Sequence, residues 1–479
     1  MNILLLTVPS DNRQETERFI KQKRIRILKF ISPEKIYENL PSFSLLYLAP
    51  LLKQKGHKVF YFEGHYFKTL QELVLIIQKK SIHIVGITSL ICNWQNVKTT
   101  AKILKQLFPD IKIFAGGRFP SYAKEEGLKE ASELDGIIYG EGECTFLEIV
   151  SKIERKEQLT GIKGSIVREN GRIVSNPPRP LIANLDGIPF PDRDLVCGKD
   201  YIPPSATYKK LPHTYIYCSR GCSYTCIYCD TEKLLRVRSP SNIVDEIEYC
   251  ANKYSIKDFT LLDNAISVYR ERINGICEEI LRRKLNIVWS TELRVDAVSL
   301  DKLRLMKKAG CWKILYGIES GVQKNLDFLN KKISIDEIIR AVNLTKQAEI
   351  ETLGSFIFGI PGETYEEGLK TIKFACELDL DYASFSNLTP FPNTMLAKRV
   401  SDWGNTVVEA PFDLSGITFV PYSMKYKQLK NLIKISTISF YFRYKYILKK
   451  VKKINTIHEL LRLFRGLLRV AIRVFSSLN

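Results

Sequence analysis

Three cysteines, Cys222, Cys226 and Cys229, form a Cys-x-x-x-Cys-x-x-Cys run just after the apolar stretch Tyr215-Ile216-Tyr217. Thiolates spaced this closely can gather around one metal centre, and iron–sulfur clusters are held by such runs. Three protein ligands on a cubic cluster leave one iron free to bind a small molecule. The chemistry expected is therefore that of an open iron site. Cys218 precedes the trio by four residues, so four thiols could instead make a tetrahedral structural zinc site. Zinc knuckles, however, favour two separated Cys pairs over one crowded run. A disulfide framework fits less well, because eleven Cys are spread over 479 residues and the N-terminus reads as a strand rather than a leader.

With Tyr228 as the aromatic before the last cysteine, the trio resembles the signature of radical S-adenosylmethionine (SAM) enzymes. The resemblance implies a four-iron four-sulfur cluster on Cys222, Cys226 and Cys229, its fourth iron chelated by the amino and carboxylate groups of SAM. It also implies reductive cleavage of SAM to methionine and a 5′-deoxyadenosyl radical, with an electron donor such as flavodoxin or ferredoxin.

The elements that must position this run alternate strand and helix. From Tyr201 to about Pro392 the strand candidates are 214–217, 259–262, 286–289, 314–317, 355–359 and 382–386. Six βα units suit a partial barrel, and barrel chemistry gathers at the carboxyl ends of the strands. After the second strand come Asp263 and Asn264, where the resembled family usually has Asp-Asp. Ser290, Glu292 and Arg294 are expected in the loop after the third. Arg294 suits bidentate pairing with the SAM carboxylate or an ordinary ion pair. Gly317-Ile318-Glu319-Ser320-Gly321 after the fourth strand matches the family closely. The resemblance gives Tyr228, Asp263, Asn264, Arg294, Glu319 and Ser320 as the SAM contacts. Gly359-Ile360-Pro361-Gly362-Glu363-Thr364 after the fifth strand also matches, as a loop-shaping segment.

Residues 1–160 alternate strand candidates 58–62, 82–88, 111–115 and 136–139 with helical segments such as 97–108. This pattern implies a doubly wound parallel sheet, Rossmann-like, whose ligand end is the carboxyl edge of its strands. Three loops fall there, and their glycines would let a ligand approach the backbone. The resemblance extends to the cobalamin-binding domain of cobalamin-dependent radical SAM enzymes, and it places Thr88, Ser89, Leu90, Gly116, Gly117, Gly140 and Glu141 against cobalamin. The chain lacks the Asp-x-His-x-x-Gly motif that supplies an axial imidazole, and none of its five His stands in such a context.

The expected organisation is a cobalamin-binding-like domain over 1–160, a hairpin and Pro-rich linker over 161–200, the radical SAM partial barrel over 201–395, and a basic helical region over 396–479. The net charge of +20 is unevenly placed: residues 421–479 carry fourteen Lys/Arg and one acid, Glu459. Thr456 to Glu459 reads as a capping box, followed by an Arg stripe at 462, 465, 469 and 473. Such a helix suits an anionic membrane surface, or packing on the barrel with Arg outward. No uncharged run is long enough to span a bilayer, so a cytoplasmic enzyme is expected, its C-terminal segment either touching a membrane surface or packed on the barrel, with no nucleic acid as partner.

The resemblance implies cobalamin-dependent methylation of an unactivated carbon, or of phosphorus, in a small-molecule or lipid substrate, with cobalamin held over the barrel mouth. Its first rival is a non-methylating radical cyclisation, dehydration or rearrangement. A methylthiotransferase would need a second N-terminal Cys triad and a β-rich RNA-binding domain, and neither is present. The rival from another class is a non-catalytic, zinc-stabilised nucleic-acid binder.

Overall fold

The computed structural model describes residues 1–9, 41–64, 70–197, 201, 203, 206–263, 269–407, 416–452 and 466. Two compact units divide the chain, Met1–Tyr201 and Ile202–Asn479. Asn264, the capping box and the Arg stripe fall outside the described residues.

The first unit is built on a sheet whose parallel part comprises β1 (Asn2–Thr7), β2 (Lys58–Glu63), β3 (Ile84–Thr88), β4 (Lys112–Gly116) and β5 (Gly136–Ile138). Alternate residues serve opposite faces. Leu4, Leu6, Val85 and Ile113 enter one core layer, while Ile3, Leu5, Ile84 and Phe114 enter the other. A sheet covered on both faces needs such near-continuous apolar strands.

The hairpin expected in the linker instead extends this sheet. β6 (Ser165–Glu169) pairs antiparallel with β5, and β7 (Arg172–Ser175) pairs with β6. Asn170 and Gly171 both take positive φ, 51° and 74°, as a two-residue hairpin turn requires. Ile166 and Val167 are buried, and that burial ties the hairpin to the sheet. The seven strands run in the order β2-β1-β3-β4-β5-β6-β7. The order reverses between β1 and β3, which is where open α/β sheets form a ligand crevice.

The second unit has six parallel strands: β8 (His213–Tyr217), β11 (Asp258–Leu262), β12 (Val288–Leu293), β13 (Cys311–Glu319), β14 (Glu351–Phe358) and β15 (Tyr382–Asn387). Between the first two lies a short ribbon of β9 (Ser219–Arg220) and β10 (Arg236–Val237). The six run in the order β15-β14-β13-β12-β11-β8. Each neighbours its predecessor, and β8 and β15 are the ends of a partial barrel. Ile216, Phe259, Trp289, Ile314, Tyr316 and Phe356 pack in the large buried core of this unit, and polar residues alternate with them along the strands.

Two strands run further than the sequence suggests: β13 continues to Glu319, so Ile318 and Glu319 are strand residues. β12 runs on to Leu293, so Ser290 and Glu292 are strand residues and not loop residues. Trp289, Thr291 and Leu293 share one face of the strand, and the two-residue period puts Ser290 and Glu292 together on the other.

Candidate active site: a cysteine loop held by buried charge

The cysteine loop is closed at its base. β9 pairs antiparallel with β10, and Cys222 N–H donates to the Glu232 carbonyl at 2.7 Å. Gly221 has φ 82°, and a Cβ there would stand 2.1 Å from the Leu234 carbonyl oxygen. Only glycine fits between these two legs.

Loops from later strands clamp the tip. Asn330 Nδ2 donates to the Thr225 carbonyl at 2.9 Å and to its hydroxyl at 2.8 Å. Ile227 N–H donates to the Leu329 carbonyl, and Leu396 N–H donates to the Ile227 carbonyl. Ile227 and Tyr228 pack against the buried cluster Leu329, Ile360, Leu388, Leu396 and Phe419. The Arg294 guanidinium lies 3.8 Å from the Tyr224 ring centroid, bonds Asp296, and donates to the carbonyls of Lys331 and Lys332. Arg294 thus ties three loops together.

Glu319 is the hub beside the thiols. Tyr228 O–H donates to its Oε1 at 2.9 Å, and Lys331 Nζ to the same oxygen at 2.6 Å. The strand bulges between Gly317 and Glu319. Glu319 itself takes φ 66°, a strained conformation of the kind found at functional sites. A Cβ on Gly317 would lie 2.7 Å from Glu319 Oε1 and 2.8 Å from Lys331 Nζ, so the pair sits directly over glycine backbone. Burial opposes the Lys331 charge, but Glu319 and Cys226 outweigh it and hold the ammonium above its ordinary range. Burial, aided by Glu319, raises the Tyr228 phenol far above its usual value, so Tyr228 remains a donor. The Cys226 thiol is pushed up by burial, with Lys331 and Arg294 pulling the other way. An anionic group docked there meets two fixed cations.

Asp263 and Ser320 are engaged by the fold itself. Asp263 accepts from Ser219 O–H at 2.5 Å and pairs with buried Arg272, which also donates to the Cys218 and Arg238 carbonyls. This knot fixes the entry to the cysteine loop. Ser320 is fully buried and is bonded to Thr371, Val322 N–H and Asn325. Burial raises the Glu292 carboxyl above the ordinary range, with Lys313 and Lys331 pulling the other way. Glu363 is likewise pushed up, to about 8, by burial, although it accepts the Gly359 and Ile360 N–H groups.

These residues fit a cluster better than a single ion. Cys222, Cys226 and Cys229 are all half-buried, and among the described residues none is in a disulfide. Among the described residues no three His, Cys, Asp or Glu side chains stand close enough to hold one ion. A cubic cluster places each thiolate on a different iron, so its ligands need not converge on a point. Cys218 is fully buried in the apolar core, its Sγ directed at the Ile216 carbonyl, and burial keeps its thiol protonated. The four-thiol zinc arrangement therefore lacks its fourth ligand.

At the carboxyl edge of the first sheet the loops after β3 and β4 interlock through neutral groups, while the buried Glu63 carboxylate at the end of β2 accepts the Tyr201 O–H. Ser89 N–H donates to the Gly116 carbonyl at 2.8 Å, and Ser89 O–H donates to Asn93 Oδ1 at 3.0 Å. Asn93 Nδ2 reaches the Val8 carbonyl after β1. Gly117 has φ 100°, and a Cβ there would meet the Ser89 carbonyl oxygen at 2.7 Å. Its glycine thus serves loop packing. Gly140, by contrast, has nothing within 4 Å of such a Cβ, which leaves backbone open to a ligand. Leu90 is exposed, and Glu141 accepts the Ile182 N–H. Thr88 ends β3. A crevice of hydroxyl, amide and bare backbone suits a large neutral macrocycle with amide side arms. His57 and His83 immediately precede β2 and β3, at the opposite edge, and neither can reach a ligand in this crevice.

Lys331 and Asn330 carried no sequence signal. They follow the helix Gln323–Phe328 in an ordinary polar turn, and only the fold brings them to the cysteine loop.

Comparisons with known proteins agree with both halves. Residues 216–375 match the model of the radical SAM superfamily, and residues 34–150 match that of the B12 binding domain. An uncharacterized methyltransferase of Pyrococcus horikoshii is 33% identical over 445 residues, covering 90% of this chain and 94% of the relative. An anaerobic magnesium-protoporphyrin IX monomethyl ester cyclase of Rubrivivax gelatinosus is 30% identical over 401 residues, 81% of this chain and 70% of that one. The solved structure of the cobalamin-dependent SAM radical enzyme OxsB, with aqua-cobalamin and SAM bound, superposes with a TM-score of 0.71. It shares 16% identity and covers 99% of this chain and 72% of its own.

Proposed function

Because this chain belongs to the radical SAM enzymes that carry a cobalamin-binding domain, we propose that it methylates an unactivated carbon, or phosphorus, of a small-molecule or lipid substrate. A four-iron four-sulfur cluster, SAM and cobalamin are its cofactors. Bound, they supply one-electron bond cleavage and a methyl carrier, the electron coming from a donor such as flavodoxin or ferredoxin.

The observation that carries the reading is the Tyr228–Glu319–Lys331 knot beside three half-buried cysteines of one loop. Cys222, Cys226 and Cys229 hold the cluster. Lys331 and Arg294 balance its negative charge. Glu319 presents its second oxygen to the ammonium or ribose of SAM, held in place by Tyr228. Thr88, Ser89, Leu90, Gly116, Gly117, Gly140 and Glu141 form the rim that receives cobalamin, without an imidazole from His57 or His83. Packing of Ile227 and Tyr228 into the Leu329–Leu396 cluster excludes water from one side of the loop, which strengthens each of these charge contacts.

The test is anaerobic turnover with reductant. Methylation yields S-adenosylhomocysteine together with 5′-deoxyadenosine. A second reading, radical cyclisation without methyl transfer, is favoured by the cyclase relatives at 30% identity. It predicts 5′-deoxyadenosine alone.

A further inference from the structure

One apolar side chain stands out of place at the ligand edge of the first sheet. Leu90 follows β3 at the switch in strand order and is 53% exposed. The other large apolar side chains exposed in the described part of this unit, Leu70, Leu75 and Leu107, all lie on helices. Leu90 belongs to neither core layer of the unit.

Its backbone is nevertheless fixed. Asn93 Oδ1 accepts the Leu90 N–H at 2.9 Å and the Ser89 O–H at 3.0 Å, and Asn93 Nδ2 donates to the Val8 carbonyl at 3.1 Å. Ser89 and Asn93 are both buried. A turn pinned in this way holds an apolar side chain out in water and forgoes the free energy of covering it. The same rigidity prepares a contact, because little freedom is left to lose when a ligand arrives.

The chemistry of the crevice says which part of cobalamin makes that contact. Its hydroxyl, amide and bare-backbone groups suit the amide arms on the rim of the corrin. Leu90 is apolar, and the flat face of the ring is the apolar surface that matches it. Donor atoms that could compete for the cobalt stand elsewhere. His57 and His83 precede their strands, at the opposite edge. His65 follows β2 in the chain, outside the described residues, and β1 separates β2 from β3. Cys92 is half-buried within the turn Ile91–Asn93. We propose that the Leu90 side chain packs against the corrin face resting on this sheet. Cobalt is thereby left without an axial donor on that side, and cobalamin's own benzimidazole is swung away. With no lone pair beneath it, cobalt accepts an electron more readily. The inference rests on cobalamin binding and is independent of whether methyl transfer or cyclisation follows.

The test is electron paramagnetic resonance of the full chain, purified anaerobically and loaded with hydroxocobalamin. Mild reduction gives cobalt(II) while the cluster stays oxidised and silent, and cobalt and iron are measured on the same samples. The wild-type signal is expected without nitrogen splitting. Leu90→His should add that splitting, because a side chain beneath cobalt can deliver an imidazole to it. Leu90→Ile should keep the unsplit signal. Leu90→Ala should weaken corrinoid retention about tenfold and leave iron unchanged. Nitrogen splitting in the wild type overturns the proposal, as does an unsplit signal from Leu90→His. So does a wild-type signal that His65→Ala or Cys92→Ala alters. A chain that retains no cobalt overturns it together with the cobalamin reading, so the two failures are told apart.

Discussion

Both units present the carboxyl edge of a parallel sheet, yet the two edges are made of different material. In the first, Ser89, Asn93 and Gly117 close the loops with neutral hydrogen bonds and bare backbone. In the second, Asp263–Arg272 and Glu319–Lys331 place buried charges around a loop of thiols. A neutral macrocycle needs shape and amide partners, and shape is supplied by close-packed backbone. An anionic cluster and a charged cofactor need fixed charges, and fixed charges must be paired to be tolerated in the interior. The difference between the edges is thus a difference in what each is built to receive.

The sharpest break in this contrast is expected from the thiols. Cys222→Ala, Cys226→Ala and Cys229→Ala should each abolish cluster content and 5′-deoxyadenosine formation, while the corrinoid still co-purifies with the chain. Cys218→Ala should keep iron and acid-labile sulfide, since its Sγ stands in the apolar core. Iron, sulfide and cobalt measured on the same samples check this. Loss of the cluster in Cys218→Ala would restore the four-thiol site.

Next in size is the charge knot at the loop entry. Asp263→Ala leaves Arg272, only 5% exposed, without its carboxylate. Removing one partner of a buried pair costs about 3–5 kcal/mol. The unfolding midpoint in denaturant should fall accordingly, with cluster occupancy falling alongside it.

The smallest effect is expected at the neutral edge. Gly117→Ala puts a Cβ against the Ser89 carbonyl at positive φ, at about 1–3 kcal/mol. It should weaken corrinoid retention and leave iron content unchanged. Gly140→Ala meets nothing within 4 Å but sits at φ 76°, so it costs about 1 kcal/mol of backbone strain with no packing clash, and a corrinoid loss larger than that strain explains reports on the ligand. Equal iron loss in both Gly variants would erase the proposed independence of the two edges.

Much of this architecture is readable in the chain. Short apolar runs mark many of these strands, because a parallel sheet covered on both faces buries successive residues on opposite sides. The end of β12 escapes that reading because Ser290 and Glu292, on the face away from Trp289, look like loop residues when taken singly. The hairpin at 165–175 reads correctly as a hairpin. Its membership in the first sheet depends on an edge, that of β5, which no local pattern reveals. Asp263, Arg294 and Ser320 stand out in sequence as polar residues after strands. Their partners, Arg272, Asp296 with the Lys331 and Lys332 carbonyls, and Thr371, are not inferable from spacing.

The sequence by itself determined the metal chemistry, since three thiols within one short loop are neighbours in any fold. It also determined the order of strands and helices, which periodicity encodes locally. Only the tertiary structure decided which charges meet: Lys331 beside Glu319 and Cys226, Arg272 beneath Asp263, Lys449 and Lys450 turned inward on Asp379 and Asp381. An ion pair between residues distant in the chain leaves no local trace, because its energy depends on burial and distance, and both are set only when the sheets close.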